Sequence, residues 1–395
     1  MNPRRVALMG PFSVRALAGF LPEETMRTLP PGAGGAALVN LAVARLQRQW
    51  PTDIITLDAA APSGGIKIEQ GPLRLWIMPR RPAKAMRDLF RQERMELHNA
   101  LRASRADVCH AHWTYEYGLA AVTQSICPTV VTVHDHARRM LAWCGPRFFP
   151  LYVMSRRVLK SARHLTAVSP GTAAYAGRVA HTSVPVIANC LSPDTTTAPD
   201  PAVTPPAGRP LFVGAWSWAA YRNTKRGLRV FAAVRHRYPD ARLDLMGVDM
   251  EANGPAARWA EANGLTDGVR FLGLPPWNET LARLLSADVV FHPSLEESFS
   301  LPVAEALARG VPVVAARQAA GPAWLVEQSG NGALVDGTDV DGLTTALIQC
   351  IEDRREKDTA TGTERLRRLC DANTVLASYD RVYDDAIGRG KTGPT

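Results

Sequence analysis

Short apolar runs alternate with amphipathic stretches along the whole chain, and this alternation limits the fold more than any single residue does. In the first half RVALMG (5–10), TDIITLD (52–58), LRLWIM (73–78), ADVCHAH (106–112), PTVVTVHD (128–135) and HLTAVS (164–169) read as strands. Helical stretches lie between them, such as AALVNLAVARLQRQW (36–50), with Gly in front and Pro51 behind. Nearly continuous apolar strands separated by helices are the pattern of parallel sheets built from βαβ units, buried on both faces. Residues 192–210, SPDTTTAPDPAVTPPAGRP, break the pattern and read as a linker. The alternation then restarts with PLFVGAW (210–216), ARLDLMG (241–247), VRFLG (269–273), ADVVFHPS (287–294), VPVVAA (311–316) and GALVD (332–336), with helices near 225–237, 252–263, 278–286 and 301–309. The expectation is an α/β chain of two doubly wound parallel-sheet domains, 1–193 and 209–373, joined by 194–208 and facing an interdomain cleft. Residues 374–395 read as a last helix returning to the first domain, ending in a flexible tail.

Composition narrows the function. A length of 395 residues suits two cores. No run of about 18 apolar residues is present to span a membrane, and the apolar part of the start is too short for a secretion signal. Six cysteines without paired spacing (Cys109, Cys127, Cys144, Cys190, Cys350, Cys370) point to reduced thiols and a cytoplasmic protein. The net charge of +9 is concentrated in RRPAKAMRDLFRQER (80–94) and RRVLKSAR (156–163). These runs are either solvated helix faces or contacts to an anionic membrane surface, which would make the protein peripheral at the inner face of the membrane. No repeat, Walker loop or hydrolase elbow occurs; Ser169 sits in AVSPG.

The segment with the sharpest chemical content is HPSLEESFSLPVAEALARGVPVVAA (292–316). It reads as the end of a buried strand, a loop, and a helix with Ser300 as N-cap, Pro302 in the first turn and Gly310 as the stop. Glu297 lies in the loop and Glu305 one turn into the helix. A helix start is an anion site through its free N–H groups and dipole, and ionised glutamates accept hydrogen bonds from hydroxyls. A diphosphate flanked by sugars satisfies both demands; the plain alternative is one capping and one surface glutamate.

This segment resembles the signature of the retaining glycosyltransferases of family 4, which have the GT-B fold of two Rossmann-like domains. PPGAGGAALVNLAVARL (30–46), ADVCHAHWTYEYGLAA (106–121), VVTVHDHARRM (130–140), HLTAVSPGTAAYA (164–176), VIANCLSPD (186–194), LFVGAW and TKRGL, VRFLGLPPWNETLARLLSADVVFHPS (269–294) and GNGALVDGTD (330–339) resemble further family segments in the same order. The resemblance implies a sugar transfer from a nucleotide diphosphate-sugar to a glycan, lipid-linked or small-molecule acceptor in polysaccharide or glycoconjugate biosynthesis, without a cofactor or metal. It gives Glu305 the donor ribose and Glu297 the donor sugar. Phe299, Ser300 and Leu301 become the loop whose amides meet sugar and diphosphate, and Gly34 and Gly35 the loop that approaches the phosphates. His134 becomes the histidine near the reacting sugar. The family's Gly-Arg after the first strand of the second domain is here Gly214–Ala215, so the cations for the diphosphate come from Arg222, Lys225 and Arg226. Cys190 stands for a glycine of the family's turn, and Ser298 and Ser300 for two more, a change that fits if both keep φ negative.

The histidines of CHAH (109–112) and HDH (134–136) could suggest zinc, but no matching second pair completes a tetrahedral set; they are expected to be strand-end residues, with His110 and His112 on one face. Trp216 and Trp218 are expected either to stack on a base or sugar or to fill a wall between domains. Two rival functions remain: an epimerase or phosphorylase with the same donor site, and a non-catalytic basic protein binding lipid or nucleic acid. The second has no use for paired glutamates, and nucleic acid is not an expected partner.

Overall fold

The structure, a computed structural model, describes residues 4–391 apart from 33, 84, 193, 194, 196–208 and 354–359. The linker 194–208, Thr195 excepted, and Lys84 of the first basic run therefore lie outside the described residues. The chain forms two compact units, one from the chain up to Ser192 together with the stretch from Ala372, the other from the stretch between them.

The first unit is built on a seven-stranded sheet of β1 (Val6–Met9), β2 (Thr52–Asp58), β3 (Ile66–Gln70), β4 (Leu73–Pro79), β5 (Val108–His112), β6 (Thr129–Val133) and β7 (His164–Ala167), in the order β3-β4-β2-β1-β5-β6-β7. All neighbours pair in parallel except β3, which returns antiparallel along β4. That edge strand was not among the expected ones. Its sequence IKIEQ places Lys67 and Glu69 in solvent, so it lacks the apolar run that betrays the other six. The helix Ala372–Lys391 packs on this sheet, where Val375, Leu376, Tyr379 and Tyr383 join Leu8, Leu38, Leu41 and Val130 in one core.

The second unit has a six-stranded, wholly parallel sheet: β8 (Leu211–Ala215), β9 (Arg242–Met246), β10 (Val269–Phe271), β11 (Val289–His292), β12 (Val313–Ala316) and β13 (Gly332–Val335), in the order β10-β9-β8-β11-β12-β13. Both sheets are doubly wound. Strand order reverses between β1 and β5 in one and between β8 and β11 in the other. Loops leaving the carboxyl ends diverge at such a reversal, which is where ligands sit in open α/β sheets.

Trp216 neither lines a wall nor is open to a ligand. It is 2% exposed in the core of the second unit, donates its indole N–H to the Phe291 carbonyl at 2.7 Å and meets the Phe291 ring edge-on. Gly214 makes room for it, since a Cβ there would lie 2.5 Å from the indole. Burying so large an aromatic beside β11 holds the strand from which the Glu297 loop departs. Among the described residues no helix is long and apolar enough to cross a membrane.

Candidate functional site

In the second unit β11 ends at His292, a loop runs to Ser300, and the helix Leu301–Ala308 follows. Pro302 occupies its first turn. Gly310, at φ +77, lets the chain turn back so that the Val311 N–H reaches the Ala306 carbonyl at 3.0 Å. Ser300 departs from expectation in two ways. Its hydroxyl makes no cap hydrogen bond, and its φ is +74, so it keeps the backbone shape suited to the glycine it replaces. The loop is backed by Gly321, whose N–H donates to the Glu297 carbonyl at 3.0 Å. A Cβ on Gly321 would lie 2.3 Å from Phe299 N, so only glycine allows this approach. Phe299 is buried edge-on against Trp324, which anchors the loop, and Leu301 heads the helix half-buried.

The two glutamates are held differently. Glu297 forms an ion pair with Arg222 and accepts its neighbour Ser298 N–H at 3.2 Å. Burial pushes its pKa up, but the Arg222 guanidinium and then His292 outweigh this and hold it below the usual carboxylate range. Arg222 is the mirror case: burial would lower its pKa, and Glu297 raises it overall. Glu305 is 3% exposed and has no cation. Its Oε1 accepts the Trp277 indole N–H at 3.0 Å, and burial raises its pKa despite that bond.

Arg226 donates to Asn223 Oδ1 at 2.6 Å, and Asn223 Nδ2 in turn donates to the carbonyls of Pro293 (3.0 Å) and Gly337 (2.8 Å). Arg222 and Arg226 are thereby tied to the Glu297 loop. Lys225 is not: it is exposed, with its ammonium 5.4 Å from the rings of both Trp218 and Trp259.

In the first unit Gly34 (φ +71) and Gly35 (φ +70) lead into the helix Ala36–Gln47 and lie against Pro11. A Cβ on Gly35 would fall 1.7 Å from the Pro11 carbonyl oxygen, so glycine is obligatory there. Cys190, in the altered turn, is buried, and its carbonyl accepts Asn40 Nδ2 at 2.9 Å. His134 follows β6 directly. Its Nε2 lies 2.8 Å from His112 Nδ1, and its ring stacks on Trp113 at 4.2 Å. His110 and His112 share a face, ring centroids 4.3 Å apart. Burial pushes their pKa values well down and that of His134 to about 3. Among the described residues no three His, Cys, Asp or Glu side chains are grouped to hold a metal ion.

Sequence reasoning missed Trp277, Asn223 and Gly321 as supports, and His112 and Trp113 as partners of His134. Each acts on a residue distant in sequence, and no local pattern marks such a pair.

The family model for "Glycosyl transferases group 1" matches residues 206–366, and that for "Glycosyl transferase 4-like domain" matches 32–190. The MMP alpha-(1->4)-mannosyltransferase of Mycolicibacterium hassiacum is 35% identical over 152 residues, 38% of this chain and 37% of that protein. A D-inositol 3-phosphate glycosyltransferase of Corynebacterium kroppenstedtii is 33% identical over 171 residues, 41% of this chain and 38% of that protein. The chain thus spans under two fifths of the length of these curated relatives. Among solved structures, sucrose-phosphate synthase from Thermosynechococcus elongatus superposes with a TM-score of 0.75 at 21% identity, over 98% of this chain and 100% of that one. Anabaena HepE in complex with UDP-glucose does so at 0.69 and 15%, over 97% and 100%. At such identities the likeness concerns the fold alone. With one glycosyltransferase model on each unit and the GT-B architecture in common with these structures, the chain belongs to the family 4 GT-B glycosyltransferases.

Proposed function

We propose that the chain transfers a sugar from a nucleotide diphosphate-sugar to a hydroxyl acceptor with retention of anomeric configuration and without a metal. The observation that carries this is the helix start at Leu301, placed at the strand-order reversal and flanked by Glu297, Glu305, Arg222 and Arg226. Helix N–H groups and two guanidiniums neutralise a diphosphate, and the glutamates accept hydroxyl hydrogens of the ribose and the donor sugar. Breaking the sugar–phosphate bond builds charge on the departing diphosphate, and fixed donors and cations lower the barrier by meeting that charge. His134, Gly34 and Gly35 keep the sugar- and phosphate-facing roles that family resemblance gives them. The curated relatives named for mannosyl and inositol-phosphate glycosyl transfer, and the neighbour bound to UDP-glucose, support a sugar-nucleotide donor.

The test is thermal stabilisation by UDP, GDP and ADP. A ligand at 100 times its Kd adds about 2.7 kcal/mol, so one of them should raise the Tm distinctly, and EDTA should not cancel the rise. No shift with any of the three would remove the donor reading. Incubation with donor sugar alone, followed by NMR, separates transfer from epimerisation or phosphorolysis.

For the acceptor we propose a lipid-linked glycan approached from an anionic membrane. Part of the first basic run is neutralised within the fold, Arg81 by Glu93 and Asp88 and Arg80 by Glu116. What supports the surface is the convergence of the two runs, where Arg157 adds to the burial that lowers the Arg94 pKa, beside exposed Trp143, Phe149 and Val153. Reversing Arg157 and Lys160 to Glu should abolish binding to phosphatidylglycerol vesicles; unchanged binding would assign this charge to solvent.

A further inference from the structure

His112 and His134 meet nitrogen to nitrogen, Nδ1 of the first 2.8 Å from Nε2 of the second. Burial lowers the pKa of both, so both rings are neutral near pH 7 and each carries one N–H. Only one proton fits on the line between them. The remaining nitrogen of His112, Nε2, is buried with no hydrogen-bond partner. A buried N–H without an acceptor is rarer and costlier than a buried unshared pair, so the His112 proton belongs on Nδ1, where it has an acceptor. His112 therefore donates, and His134 Nε2 accepts. The proton of His134 is left on Nδ1.

Neighbouring groups leave no competing arrangement. His110, packed against His112, has both nitrogens engaged, with Tyr383 OH and Thr132 Oγ1, each at 2.7 Å. Trp113 stacks on the His134 ring and is itself held at φ +67, a conformation a tryptophan keeps only where the surroundings impose it. The plane of His134 is fixed by Trp113 and its tautomer by His112.

We propose that His112 is a positioning residue that locks His134 in the Nδ1–H tautomer, so that His134 offers a bound sugar a hydrogen-bond donor and has no unshared pair with which to act as a base. The functional half of this rests on His134 facing the sugar, as proposed above. The partner of Nδ1–H is then an oxygen acceptor, a hydroxyl or ring oxygen, and deprotonation of the acceptor hydroxyl falls to another group.

Two-bond ¹H–¹⁵N correlation spectra of the full chain labelled with ¹⁵N-histidine report which ring nitrogen is protonated. Expected is a His134 protonated on Nδ1. In His112→Leu the proton should move at least partly to Nε2. In His112→Asn, whose amide N–H falls near the place of Nδ1–H, the original tautomer should return. Release of nucleoside diphosphate from UDP-glucose or GDP-mannose should fall about tenfold in kcat in the leucine variant, with KM little changed, and recover in the asparagine variant. A wild-type His134 protonated on Nε2 overturns the proposal, and that spectrum needs no variant to fold. A folded leucine variant with an unmoved tautomer or full turnover overturns it as well. If the tautomer is as expected but His134→Ala turns over normally, the sugar-facing reading of His134 has failed instead.

Discussion

The two units place their candidate groups at the same topological position and equip them in opposite ways. In the second unit the loop after β11 is built on charge: Glu297 is kept ionised by Arg222, and Arg226 is fixed through Asn223. In the first unit the ends of β5 and β6 carry His110, His112 and His134, all held neutral by burial and bonded to one another or to hydroxyls. One end carries the paired charges that the proposed diphosphate would meet; the other offers directional hydrogen bonds without charge. The difference shows that a shared architecture sets where a site lies, while the burial and pairing of single side chains set what it can do.

Removing charge should therefore hurt the second unit most. Arg222→Leu deprives Glu297 of its cation and the leaving group of a guanidinium. Turnover should drop by about 10²–10³, measured as kcat with the cognate donor, and a drop below tenfold would mean that Arg222 serves Glu297 alone. Next comes Glu305→Ala. It removes charge-assisted hydrogen bonds worth about 1.5–3 kcal/mol, so donor and free nucleotide should both bind one to two orders of magnitude more weakly by calorimetry. Normal binding would return Glu305 to the status of a structural carboxylate. A smaller effect is expected of Trp277→Phe, which deletes only the indole N–H on Glu305. Nucleotide affinity should fall about fivefold, in keeping with roughly 1 kcal/mol for one hydrogen bond. The loss should be smaller for the 2′-deoxynucleotide, and an equal loss for both would detach Trp277 from the ribose.

The smallest expected effects are on melting, and they run in opposite directions in the two units. The His134 pKa is depressed to about 3 by burial, so the unfolded chain binds more protons than the folded one between about pH 6.5 and 3. The stability this gives is complete above pH 6.5 and drains as the pH falls through that window. Glu305 is shifted upward, so its contribution is present below the unfolded carboxylate pKa and is lost as the pH rises through the folded value. Glu305→Gln should accordingly raise the Tm at pH 7.5 by a few degrees while weakening nucleotide binding. A lower Tm would show that the buried carboxylate is stabilising.

Much of this was legible beforehand. Parallel strands buried on both faces announce themselves as apolar runs, and Pro302 and Gly310 bracket the Glu305 helix in plain sight. What escaped was pairing. Arg222 and Glu297 were separately identifiable, but one was assigned to phosphate and the other to sugar, and nothing local says that they hold each other. Ser300 was expected with negative φ because a serine normally adopts it, yet the close backing by Gly321 keeps the loop in its glycine-like shape. Trp216 is ambiguous in the sequence because an aromatic at a strand end fits a ligand wall as well as a core, and Gly214 decides the matter only through the space its missing Cβ leaves for the indole. The edge strand β3 lacks an apolar run because only one of its faces meets the core, through Ile66 and Ile68, while Lys67 and Glu69 face solvent.

The helix Ala372–Lys391 carries a consequence for how the protein is made. His110 gains its Tyr383 partner, and the first sheet its last layer of core, from residues that follow the entire second unit. On a ribosome adding about 5–20 residues per second, the stretch from Ser192 to Ala372 takes on the order of ten to forty seconds. Through that interval the first unit exists with an open apolar face and an imidazole that has Thr132 but lacks Tyr383, while the second unit can already fold. The segment synthesised first is thus the one completed last, and in the cell it would depend most on chaperones during synthesis.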